Sequence, residues 1–163
     1  MNQLREIHTC AFVNHPYERV SEVLRRDPVG LIQRANVHAV ARGRELIGAL
    51  RESLGGVEVD REFVVELKSI AEEKEVMLGP RTRLCLSWRA SHHPHLLPTM
   101  DGTLDVLTLG PNEAQLDFVG SYRPAHGMVG VAVDKTIGHR ILDAAVHRFV
   151  ESIAERLRVD AKE

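Results

Sequence analysis

The sequence predicts an α+β fold, an antiparallel sheet of six or seven strands wrapped around one long C-terminal helix. Three observations predict it. A strand-like run comes first and a helical stretch follows. Five more strand-like runs come next, at the short spacing that favours an antiparallel meander. Residues 134–158 then carry one apolar stripe at helical spacing. That stripe must be covered, and the inner face of the meander is the only apolar partner large enough. Such an arrangement tends to leave a ligand-sized cavity between sheet and helix.

Residues 4–13, LREIHTCAFV, are β-branched and apolar and read as the first strand. Asn14 is placed to cap the helix that follows, and Pro16 suits a first helical turn. Tyr17, Val20, Val23 and Leu24 recur at helical spacing, and Asp27-Pro28 ends that helix because proline disfavours helical geometry in the residue before it. In residues 29–43, Leu31, Ala35, His38 and Ala39 fit one helical face, with Gly43 as the stop. Residues 45–53 are read as a strand because Gly55-Gly56 follows as a hairpin turn.

Val57, Val59, Phe63, Val65 and Leu67 then alternate with acidic residues, the pattern of a half-buried strand. Residues 69–81 read as a charged connection ending in Gly79-Pro80. Leu84, Leu86, Trp88 and Ala90 mark the next strand, Leu104 and Val106 another, and Leu116, Phe118, Gly120 and Tyr122 the last. In the closing helix Asp134 is a sensible N-cap, and Leu142, Val146, Phe149, Val150, Ile153 and Leu157 form the stripe.

A chain of 163 residues is most simply one domain, residues 1–163. Its net charge of -2 gives no general pull toward nucleic acid or anionic lipid, and its basic residues are interleaved with acids. The first ten residues hold no apolar segment of the kind a secretory signal needs, and no uncharged run is long enough for a membrane span. A cytoplasmic protein is expected, with Cys10 and Cys85 as buried free thiols in strands. No Walker loop, dinucleotide fingerprint, nucleophile elbow or CxxC pair is present, so no cofactor is expected.

The segment REIHTCAFVNHPYERVSEVLRRDP, a strand leading through an Asn/Pro turn to a short helix, resembles the opening of the START/Bet v 1-like (SRPBCC) superfamily. The segment SYRPAHGMVGVAVDKTIGHRILDAAVHRFVESIAERL resembles that superfamily's last strand, Gly-rich loop and closing helix. The whole is similar to bacterial members of the polyketide cyclase/dehydrase-like group. The resemblance implies a helix-grip fold, with two short helices after the first strand and usually seven strands. It also implies a hydrophobic cavity that takes lipids, sterols, polyketides or plant hormones, with a minority of members acting as enzymes.

Within that frame Trp88 and Tyr122 suit a pocket wall, since each joins a large apolar body to one polar handle. Plain core packing competes with that reading, more strongly still for Phe63 and Phe118. His139, Asp143 and His147 share one helix face, and an aspartate beside an imidazole makes His147 a candidate acid or base if that face lines the cavity. A solvated row is the plainer reading. The run Ser91-His92-His93-Pro94-His95 is a polar loop, without the further Cys, Asp or Glu spacing that a metal site needs. Arg89 and Asp105 are placed to pair across the outside of the sheet. Residues 124–130 hold two glycines beside the cavity mouth of the resembled fold, as a gate or as a tight strand-to-helix connection.

Three functions follow. The first is a module binding a small hydrophobic ligand, with Trp88, Tyr122, Phe63, Phe118 and His147 against it. The second is a polyketide cyclase/dehydrase-type enzyme, which needs a convergent polar pair deep in the pocket. The third is an interaction role with a collapsed cavity, such as a homodimer through a sheet edge or residues 124–134.

Overall fold

Alternation of small and apolar residues at odd positions builds β1 (Arg5–Val13), which turns Ile7, Ala11 and Val13 inward and leaves His8, Cys10 and Phe12 on the outer face. The structure, a computed structural model, describes residues 4–54, 63–75, 77–90, 99–123 and 135–163. Helix α1 (Tyr17–Arg26) buries Tyr17, Val20, Ser21, Val23 and Leu24. Pro16 stands at its N-cap position and no side chain caps it, so Asn14 does not serve as the expected cap. Asp27 closes α1 and opens the next helix, its carboxylate accepting the Gly30 N–H at 3.0 Å. Pro28 follows at the first helical position, where a missing N–H costs nothing.

Helix α2 (Pro28–Leu54) is one element of 27 residues. It runs through Gly43, and residues 45–53 are helix where a strand is expected. Arg, Glu, Leu and Ala dominate that stretch and all favour the helix. Gly43 sits where an added Cβ would meet nothing, so it is a tolerated weak point on an open side. The two short helices of the resembled fold are thus one short and one about 40 Å long.

The sheet has five strands among the described residues, all antiparallel, in the order β1-β5-β4-β3-β2. These are β2 (Phe63–Glu75), β3 (Gly79–Ala90), β4 (Met100–Gly110) and β5 (Glu113–Tyr122). The expected sixth and seventh strands are absent among these residues, the stretch 45–53 having gone to α2. Residues 57–62, the Gly55-Gly56 turn and the side chain of Phe63 lie outside the described residues. The charged segment 69–81 is not a connection. β2 and β3 stay paired out to Glu75 and Gly79, and Gly79 takes the positive φ of 82° that the tight turn requires. A bulge between Leu67 and Ser69 resets the alternation, and Glu73 opposite Arg81 forms a cross-strand ion pair.

Helix α3 (Lys135–Asp160) turns Val146, Phe149, Val150, Ile153, Ala154 and Leu157 into the core. Its backbone comes close to α2 and β1, and much less to the middle of the sheet. The concave face is therefore covered by two helices side by side. Large side chains bridge the gap over β3 and β4. The α2–α3 contact buries Leu31, Ile32, Ala35 and Ala39 and includes a bond from His38 Nδ1 to Ser152 Oγ at 2.6 Å.

Two further expectations are corrected by the register. Arg89 lies opposite Val64, and it is Arg83 that faces Asp105. The Arg83 Nε and Nη2 donate to both carboxylate oxygens at 2.8 Å, which pushes the guanidinium pKa up. Cys10 is exposed and Cys85 half-buried, both on the outer face and both free thiols, where buried thiols are expected.

Candidate functional site

The inner face of the sheet is a stack of cross-strand rows. Towards the end where β3 leaves and β4 begins, one row reads Val65, Trp88, Met100, Tyr122 and Arg5 across β2, β3, β4, β5 and β1. The next row holds Leu67, Leu86, Gly102, Gly120 and Ile7. Facing glycines leave a dip in that second row, and the Phe118 ring fills it. A Cβ on Gly102 would stand 2.7 Å from Phe118 Cζ, and one on Gly120 would stand 2.9 Å from Phe118 Cε1 and Met100 Sδ.

Phe118 then meets Trp88 edge to face, with ring centroids 5.5 Å apart, and Trp88 meets Phe149 of α3 the same way at 5.0 Å. These three rings are the pillar that spans the gap between sheet and helix. Trp88 and Phe118 are both core residues, as one of the two readings of them has it. Trp88 also stands in the terminal row.

Tyr122 is the polar centre of that row. It is 5% exposed, and its hydroxyl lies 2.5 Å from Nδ1 of His139 on α3, the two rings stacked with planes 19° apart. Arg5, directly opposite Tyr122 in the β1–β5 register, bonds the same hydroxyl. A guanidinium only donates, so it takes a phenol lone pair. The O–H then donates to Nδ1, in the tautomer that carries its proton on Nε2. Burial raises the Tyr122 pKa above its ordinary value, Arg5 opposes the rise, and Asp143 adds to it. The group is thus a phenol at neutral pH, a donor rather than an anion.

The row His139, Asp143 and His147 lies along the α3 face that follows β1. At its inner end His139 is half-buried against Tyr122, while Asp143 and His147 are exposed. His147 Nδ1 bonds Thr9 Oγ1 at 3.0 Å, and Arg158 Nε and Nη2 donate to the Phe12 carbonyl at 2.9 and 2.5 Å. These bonds tie α3 to the β1 edge. His147 is exposed at that seam. Sequence reasoning singled out His139 only as a neighbour of His147, and it missed Arg5. The signal for Arg5 was present, since alternation along β1 puts Arg5 on the same side as Ile7, Ala11 and Val13. The run Ser91 to His95, Asp134 and the whole of 124–134 lie outside the described residues.

A separate cleft of about 250 Å³ opens elsewhere, lined by Val23, Arg26, Asp27, Leu31, Arg34, Arg156, Leu157, Asp160 and Glu163. It lies about 27 Å from His139 along α3. Its arginines are already matched, Arg26 to Glu22, Arg34 to Asp27 and Arg156 to Asp160.

No protein-family model matches the sequence, and no curated protein does. Solved structures do. A conserved protein from Geobacillus kaustophilus is 9% identical, with 94% of this chain and 95% of that chain covered and a TM-score of 0.51. An aromatase/cyclase, Zhui, from Streptomyces sp. R1128 is 14% identical, covering 95% and 94%, with a TM-score of 0.47. Norcoclaurine synthase from Thalictrum flavum, in complex with dopamine and hydroxybenzaldehyde, is 10% identical, covering 95% and 87%, with a TM-score of 0.43. Identities this low speak to fold alone, and the Geobacillus structure carries that point. Among the described residues no helix is long and apolar enough to cross a membrane. With β1 leading into two helices, a meander and a closing helix laid in its concave face, the chain has an α+β helix-grip fold, shared with the Geobacillus protein.

Proposed function

We propose that the protein binds a small apolar molecule against the row Trp88, Met100 and Tyr122, with the molecule's polar end at Tyr122. The observation that carries this reading is the buried Tyr122 hydroxyl, held between His139 Nδ1 and Arg5 at the end of an otherwise apolar row. Ligand sites in proteins have this composition, mostly apolar walls with a few placed polar groups. Phe118 supports the wall from behind through Trp88. Phe63 begins β2 opposite Ala90, one pair beyond Val64 and Arg89, and is proposed as part of the same wall. His147 is proposed as a seam residue outside the ligand's reach.

A second reading has its own observation. The pair Tyr122 and His139 is the convergent acid and base that a polyketide cyclase/dehydrase-type enzyme needs, a phenol donor bonded to an imidazole that can take or return a proton. Binding is the simpler proposal because it requires only the row.

Native mass spectrometry of the freshly purified protein tests the binding reading. A retained mass of a few hundred daltons, lost on organic extraction and absent from the Tyr122→Phe variant, is the expected result. A clean apo mass, together with no uptake from a panel of apolar compounds, contradicts it.

A further inference from the structure

No further inference is drawn: the strongest candidate, the cleft of about 250 Å³ where α1, the start of α2 and the end of α3 meet, carries nothing because its three arginines are each already paired with a carboxylate near them in the chain, and among the described residues its lining leaves no buried polar atom without a partner for a ligand to meet.

Discussion

Replacing Tyr122 by phenylalanine removes one oxygen from the centre of the site and leaves the ring in place. The wild-type hydroxyl makes two contacts, one to His139 Nδ1 at 2.5 Å and one to Arg5. A neutral hydrogen bond contributes about 0.5–1.5 kcal/mol net and one to a charged group about 1.5–3 kcal/mol. Both partners are half-buried, so water replaces part of what is lost, and the loss should fall at about 1–2 kcal/mol. In a chain of this size each kcal/mol moves Tm by about 2–4 °C. Urea unfolding followed through the fluorescence of Trp88, the chain's one tryptophan, measures the difference at constant m.

The pH dependence of that difference is a sharper check. Burial raises the Tyr122 pKa above 10.0, against the pull of Arg5. Between the ordinary and the raised value the unfolded phenol ionises while the folded one keeps its proton. The advantage of wild type over Tyr122→Phe should therefore be constant below about pH 10 and shrink as pH rises through the folded pKa. An advantage that grows above pH 10 would mean that Arg5 outweighs burial. An unchanged stability at neutral pH would mean that the bond to His139 is not made in solution. Either outcome refutes the reasoning.

Gly102→Ala should cost about 1–3 kcal/mol by overpacking, because its Cβ would stand 2.7 Å from a Phe118 ring pinned by Trp88. Adding Phe118→Leu in the same chain should then cost less than it does alone, which a double-mutant cycle by urea unfolding reads directly. Arg83→Met should cost about 2–3 kcal/mol, since it leaves the nearly buried Asp105 carboxylate without either of its 2.8 Å bonds, and a loss under 0.5 kcal/mol would contradict that. His147→Ala should cost only about 0.5 kcal/mol for the exposed bond to Thr9, and decanoate affinity should stay within about twofold. A tenfold loss of affinity would put His147 back in the site.

The fold was legible where apolar residues keep a clear period. β1, the inner positions of β3 and β5 and the α3 stripe stand as their alternation and spacing predict. The errors share one cause, reliance on apolar pattern where other forces decide. The outer half of β2 is mostly polar, held by a cross-strand ion pair and a bulge, so its length is invisible to alternation. The C-terminal half of α2 is set by helix-forming residues, while a Gly-Gly pair just beyond it suggests a hairpin. The inward faces of Trp88, Tyr122 and Arg5 could be read from alternation along their strands. The place of Arg5 beside Tyr122 and the inward turn of His139 could not, because both depend on which strand lies beside β5 and on where α3 meets it. That pairing joins residues more than a hundred positions apart in the chain.

The claim that an apolar molecule sits on the terminal row between sheet and α3 can be tested at one atom. A ¹⁵N-labelled sample gives a single indole N–H signal, that of Trp88. Titration with decanoic acid should move this signal saturably, with the same midpoint that calorimetry reports. Binding that saturates while the Trp88 signal stays fixed would place the ligand elsewhere on the protein and contradict the account.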